Sequence, residues 1–153
     1  MRRQTMIHDD LKLKGRLDIV VTSEDGVVKQ KESVDNLVVT SGKNFVASRM
    51  AGTSASVMSH MAIGTGSTAA AVGNTTLGSE SARVALTSTT VTDNDVVYVA
   101  TFPANTPSSA AAITEAAILN ASSNGTMLCR TVFSVINKSQ SDSLTVTWTV
   151  SAS

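Results

Sequence analysis

Thiols, imidazoles and aromatic rings are scarce in this sequence of 153 residues. Its one cysteine, Cys129, excludes an intramolecular disulfide and any cysteine-rich metal site. Aromatic residues make up 3% of the chain, so we expect a core of Val, Ala, Leu and Ile with Trp148 and Tyr98 as isolated large side chains. One Trp and one Tyr also offer little surface for stacking a sugar ring, which argues against a carbohydrate-binding module.

Charge is scarce too, and the two signs balance. Twelve Lys and Arg residues stand against twelve Asp and Glu residues, and charged residues make up 16% of the chain. Such a surface has no electrostatic footprint for nucleic acid or for an anionic membrane, so we expect neither as a partner. No apolar segment approaches the roughly 20 residues that a transmembrane helix needs.

Alternation of apolar and hydroxyl-bearing residues is what the sequence has in abundance. In the segment 144–150, Leu144, Val146, Trp148 and Val150 alternate with threonines. This period of two is typical of a β-strand with one buried face and one face in water. Further strands are predicted at 17–23, 27–34, 57–63, 83–92, 96–102, 113–119 and 126–136. Short strands separated by regular turn sequences predict a mainly all-β fold, an antiparallel β-sandwich or jelly roll.

One short α-helix interrupts the predicted strands. Residues 44–51 place their apolar side chains on one helical face. Thr40 or Ser41 can cap the start of this helix, and Gly52 can end it.

Two other segments lack periodicity. Residues 1–15 carry mixed charge, so we expect an extended N-terminal arm followed by a single β-sandwich domain over 16–153. Residues 64–81 are rich in Gly, Ser, Thr and Ala and predict a long surface loop. Loops of this length inside a compact domain usually have a function or contact a partner.

Residues able to carry out chemistry are isolated from one another in the sequence. His60 has no second histidine except His8 in the arm. Glu115 is the one acid in an apolar strand, and without a second carboxylate at a fixed offset we expect it to pair with Arg83 or Arg130. Cys129 lies in an apolar segment and is expected to be buried and inert. We therefore predict no catalytic, cofactor-binding or metal-binding residues, no small-molecule substrate and no enzymatic activity.

Five segments, together with the closing Thr/Val strand, have a pattern typical of one known family. They are 36–50, which begins Asn36-Leu37-Val38-Val39, and 58–66, 82–88, 112–116 and 127–133. They resemble small virion structural proteins of tailed bacteriophages. The resemblance spans nearly the whole chain after the arm, but its motifs belong to a structural family and carry no catalytic signature.

The resemblance implies a location on the virion and a partner. The leading interpretation is a capsid decoration, or cement, protein that binds the outside of the major capsid protein shell and stabilises it. The alternative is a tail, baseplate or tail-fibre component, because the segment 113–116 is similar to segments of tail-fibre and collar proteins. Family members of this kind imply a homo-oligomer, a dimer or trimer. The residues expected to contact the partner lie in or beside the arm and in the long loop: Met6, Ile7, Leu11, Leu13, Arg16, Thr65, Ser67 and Thr68.

Overall fold

The computed structural model describes residues 10–53 and 55–153, which form nine antiparallel β-strands and one α-helix. The helix, α1, spans Thr40–Met50. The strands are β1 (Leu13–Thr22), β2 (Val28–Val38), β3 (His60–Gly64), β4 (Glu80–Ala85), β5 (Ser88–Thr92), β6 (Asp95–Phe102), β7 (Ala111–Leu119), β8 (Met127–Lys138) and β9 (Ser143–Ala152). The predicted all-β fold with one short helix is confirmed.

The strands form one curled sheet in the order β4-β3-β7-β8-β2-β1-β9-β6-β5. Strand β2 joins its two halves, because it pairs with β1 along most of its length and with β8 only at Leu37 and Val38. Strands β4 and β5 are the two ends of the sheet, yet only Leu86 and Thr87 separate them in the chain. The chain therefore steps from one edge of the sheet to the other, and the two halves face each other.

The main core fills the space between the two halves. Leu144, Val146 and Trp148 of β9 are fully buried there, while the threonines between them lie on the other face. Met61 of β3 and Ile118 of β7 reach the same core from the other half. The alternation predicted for 144–150 is confirmed.

A second, smaller core lies on the outer face of the β3–β7–β8 half. The loop side chain of Leu77 is buried there, and it packs in a cluster with Val39, Ala62, Ala117, Leu119 and Met127. The long segment between β3 and β4 therefore covers this face of the sheet, which explains why β7 is buried on both faces from Glu115 onward.

The start of α1 differs from the sequence prediction. The helix begins at Thr40 and its N-cap is Val39, which has no side-chain capping bond. The Ser41 hydroxyl instead donates to the Met127 carbonyl at 2.8 Å and ties the helix to β8. Gly52 follows the helix with a φ of +67°, a conformation that favours glycine, so the predicted end of the helix is confirmed.

Other boundaries differ as well: the strand predicted at 27–34, for example, extends to Val38. Residues 13–15, assigned to the arm from the sequence, belong to β1 and pair with β9, and Lys12 exchanges backbone hydrogen bonds with Ser153. The predicted strand 83–92 is two strands, because the chain crosses between the halves at its middle. The strand predicted at 57–63 begins only at His60. Within the described residues, the one α-helix is too short and too polar to cross a membrane.

Candidate partner-binding surface

A buried ion pair lies beneath the long loop. Glu115 of β7 and Arg130 of β8 are both buried, and the Arg130 Nη2 donates to Glu115 Oε2 at 2.8 Å. The carboxylate also accepts hydrogen bonds from the backbone N–H groups of Gly66, Gly78 and Ser79 at 2.9, 2.8 and 2.7 Å. The sequence prediction that Glu115 pairs with an arginine is confirmed, and the partner is Arg130.

These contacts determine the charge state of Glu115. Burial by itself raises the pKa of a carboxyl group, because the charged form loses its hydration. Here the backbone N–H groups and Arg130 outweigh burial, and the pKa of Glu115 lies below its usual value. The pair is therefore ionised at neutral pH, and both charges are satisfied by hydrogen bonds, as a buried ion pair requires.

The same two side chains hold the loop between β3 and β4, which spans residues 65–79. Arg130 donates through Nη2 to the Thr68 carbonyl and through Nη1 to Asn74 Oδ1, both at 3.0 Å. The Thr114 hydroxyl donates to the Gly66 carbonyl at 2.7 Å. A backbone hydrogen bond of 2.8 Å from the N–H group of residue 40 to the carbonyl of residue 72 links the loop to α1. Together with the bonds to Glu115, these contacts hold the loop at six residues: 66, 68, 72, 74, 78 and 79.

Glycine at position 66 is what lets the loop backbone reach the carboxylate. A Cβ atom at Gly66 would lie 2.5 Å from Glu115 Oε1 and 2.9 Å from Oε2. Real Cβ atoms do not come so close to another heavy atom, so any other residue would push the loop away from the ion pair. Gly66 therefore has a packing role here.

The outer side of the anchored loop consists of small exposed residues. Thr65, Ser67 and Thr68, which the sequence predicted as partner contacts, are all exposed, and so is Val72, with 54% of its surface accessible. Ser67 lines a groove of about 340 Å³ between the loop and the end of β2. Because the loop is already fixed, a partner that binds it meets little additional entropy cost.

A second groove, of about 460 Å³, lies between α1 and the start of β1. Leu11 and Leu13, which the sequence predicted as partner contacts, lie in this groove beside Val46 and Met50 of the helix. Leu11 and Met50 are among the exposed large hydrophobic residues of the protein. The remaining described residues around this groove are Ala47 and the lysines at 12, 14 and 43, and none of them is acidic.

A third groove, of about 440 Å³, connects these two. It shares Leu13, Lys14 and Lys43 with the groove at α1, and it shares the residues 35–37 with the groove at the loop. We call the three grooves together with the exposed side of the loop 65–79 the docking track. It runs across one end of the β domain, with an apolar, basic stretch beside α1 and a neutral stretch beside the loop.

Asn36 lies in the middle of the docking track. It lines both the connecting groove and the groove at the loop, and its side chain packs on Gly15 of the neighbouring strand. Its side-chain amide oxygen and nitrogen are buried and have no hydrogen-bond partner among the described residues. A buried amide without partners is uncommon in native proteins, because it costs free energy.

The other residues singled out from the sequence lie elsewhere. Arg16 is exposed on the outer face of β1, where its nearest acid is Asp18 at 3.9 Å, and it does not line the docking track. Met6 and Ile7 lie outside the described residues. His60 is half-buried with its Nδ1 atom 2.8 Å from the Ser59 hydroxyl. Cys129 is fully buried, as predicted, and burial raises the pKa of its thiol.

Sequence reasoning named only Leu11, Leu13 and Ser67 among the residues that line the three grooves. It did not assign a role in binding to Lys43, Val46, Met50 or the residues 35–37. The apolar face of the helix was visible as a pattern, but nothing local indicates that it lies against residues 11–14. Within the described residues no group of three or more His, Cys, Asp or Glu side chains could hold a metal ion.

Comparison of the chain with protein-family models, with curated proteins and with solved structures found no match.

Proposed function

We propose that this protein is a non-enzymatic structural component of a tailed-phage particle, a decoration protein that binds the outside of the major capsid protein shell and stabilises it. The observation that carries the proposal is the docking track, in which a loop fixed by a buried ion pair continues into an apolar groove with a basic rim. The resemblance of five sequence segments to virion structural proteins supports the same conclusion.

The physical properties of the track suit a protein that acts in many copies. The loop backbone along the track is already ordered before a partner segment binds. Little of the binding free energy is therefore lost to ordering the loop. Each copy needs to bury only a modest area, since a standard interface has about 800 Å² per partner. Copies arranged on a shell whose neighbouring subunits they bridge gain further through multivalency.

Substitution within the docking track tests the proposal. Val72→Asp places a charge on the exposed side of the loop, and burying that charge against the shell is expected to lower capsid occupancy about tenfold, which corresponds to about 1.4 kcal/mol. Val135→Asp is the matched control, because Val135 of β8 lines none of the three grooves and is 49% exposed. Binding to purified capsids that lack the protein is measured by co-sedimentation, and equal occupancy for the two variants contradicts the proposal.

Imaging of labelled protein on intact particles tests the location. Decoration predicts many copies distributed over the head. A few copies confined to the tail, together with absence from tailless heads, would instead assign the protein to the tail, baseplate or tail fibre.

A further inference from the structure

Strand β5 is an exposed edge of the sheet. It is the last strand in the sheet order and pairs with β6 alone, with Thr90 opposite Val97. All five of its residues, Ser88–Thr92, are exposed. Within residues 10–53 and 55–153, no strand pairs with the outer side of β5.

An apolar row of the core extends into this edge strand. Val150 of β9, Val96 of β6 and Val91 of β5 are neighbours across three strands and lie on the same face. Val150 is buried, Val96 is half-buried and packs against the core, and Val91 is 69% exposed. The opposite half of the sheet therefore covers the apolar row at β9 and partly at β6, but it does not cover the row at β5.

The edge also lacks the features that prevent strands from pairing. Exposed edges are usually protected by charged residues, proline or a bulge. The sequence of β5 is Ser-Thr-Thr-Val-Thr, which has none of these residues and a high β propensity. The edge strand at the other end, β4, does carry charge, with an ion pair of 2.7 Å between Arg83 and Glu80.

We infer that β5 pairs with β5 of a second copy of this chain, antiparallel and about a two-fold axis at Thr90. In this arrangement Thr90 faces its own copy, Thr89 faces Val91, and Ser88 faces Thr92. Strand β5 can pair with its own copy because it is uncharged. The nearest charged residue, Asp93, lies opposite Thr87 in this register, so no like charges meet. The contact is isologous, as in most dimers, and it continues the sheet from one copy to the next.

This pairing goes beyond the proposed function and does not depend on it, because it concerns the contact between copies and lies on a different part of the domain from the docking track. A failure of capsid binding would leave it untouched. A protein that decorates capsids as a monomer would overturn it and leave the proposed function in place.

Charge substitution at the axis is the first test. Light scattering coupled to size exclusion should give the wild type twice the chain mass of 15.8 kDa. Thr90→Lys and Thr90→Asp each place two like-charged side chains directly opposite each other, with their Cβ atoms about 5 Å apart, and should each halve the measured mass. An equimolar mixture of the two variants should restore the dimer, because opposite charges then face each other. Ser134→Lys, at an exposed position of β8, is the control and should stay dimeric.

Cross-linking tests the geometry. A Thr90→Cys variant should form an intermolecular disulfide under mild oxidation, because the two thiols face each other across the axis. Cys129 does not interfere, since it is fully buried. Val28→Cys, at an exposed position of β2, should not cross-link.

Three results would overturn the inference: a wild type that is monomeric at about 100 µM, an oligomer whose mass Thr90→Lys does not change, or a mixture of the two charge variants that stays monomeric. If circular dichroism shows that a charge variant is unfolded, the cross-link decides instead. Rapid disulfide formation by the Thr90→Cys variant supports the pairing, and its absence contradicts it.

Discussion

Substitution of Glu115 by Gln tests whether the buried ion pair organises the long loop. The change keeps the size of the side chain but removes the negative charge, so the Arg130 guanidinium stays buried without a counter-ion. In the wild type, backbone N–H groups donate to the carboxylate. The amide nitrogen of Gln carries N–H donors of its own, so donor would face donor there. Breaking a buried pair by removing one partner typically costs about 3–5 kcal/mol.

The loss should be visible in equilibrium unfolding. For a protein of this length, about 3–5 kcal/mol corresponds to a fall in Tm of roughly 6–20 °C. Trp148 is the one tryptophan and is fully buried in the main core, so its emission reports global unfolding. Urea titration at pH 7, followed by Trp148 fluorescence and by circular dichroism, gives the free energy of unfolding for each variant.

Glu80→Gln is the matched control. Glu80 pairs with Arg83 at 2.7 Å, which is nearly the same distance as in the buried pair, but its own side chain is 37% exposed. The Arg83 side chain is 10% exposed but also donates to the Ala121 and Asn124 carbonyls, so removing the exposed Glu80 charge should cost at most about 1 kcal/mol. The two substitutions therefore separate the effect of burial from that of distance.

Arg130→Met completes a double-mutant cycle. Glu115 would keep its three backbone hydrogen bonds in this variant, so Arg130→Met should cost less than Glu115→Gln. The double variant should be more stable than the sum of the single losses by at least about 1 kcal/mol, since no buried charge is left unpaired. A Glu115→Gln variant within about 0.5 kcal/mol of the wild type, or strictly additive losses, would refute the reasoning.

Two further predictions concern single positions. Gly66→Ala should lower the free energy of unfolding by about 1–3 kcal/mol, because the new Cβ atom would lie 2.5 Å from Glu115 Oε1. Gly73→Ala is the control: its Cβ atom would meet no atom within 4 Å, so this substitution should be neutral or slightly stabilising. Asp142 accepts hydrogen bonds from Lys29 and from the backbone of Ser139, which lower its pKa from 3.8 to about 2. A lowered folded-state pKa stabilises the protein above pH 4, and this contribution is lost as the pH falls towards 2. Asp142→Asn should therefore lower Tm at pH 7, and the difference from the wild type should shrink between pH 4 and pH 2; a constant difference would contradict the assignment.

The strands were predictable from the sequence because their pattern is local. The alternation in 144–150 predicts which face of β9 is buried, and Trp148 is indeed fully enclosed. The pairing of Glu115 with an arginine was also predictable, because a single acid in an apolar strand needs a counter-charge. The start of α1 could not be predicted from the sequence. The Ser41 hydroxyl donates to a carbonyl of β8 instead of capping the helix, and the N-cap residue is Val39.

The docking track could be predicted only in part, because long-range pairing creates it. Leu11 and Thr65 were expected to contact a partner, but no local pattern places α1 against residues 11–14 or β2 beside the loop. The order of strands in the sheet determines both contacts. A period of two specifies which face of a strand is buried, but it does not specify which other strands pair with that strand.

Strand β9 lies between β1 and β6, and this position has a consequence for protein synthesis. Leu13 of β1 pairs with Ala152 of β9, so strands from opposite ends of the described chain must meet to complete one half of the sheet. While a ribosome is still making residues 143–152, β1 and β6 each have an open edge and an uncovered apolar face. Such edges and faces are where nascent chains aggregate, and pairing over so long a separation is slow. This half of the sheet therefore closes only after β9 has left the ribosome, and until then β1 and β6 each keep one unpaired edge.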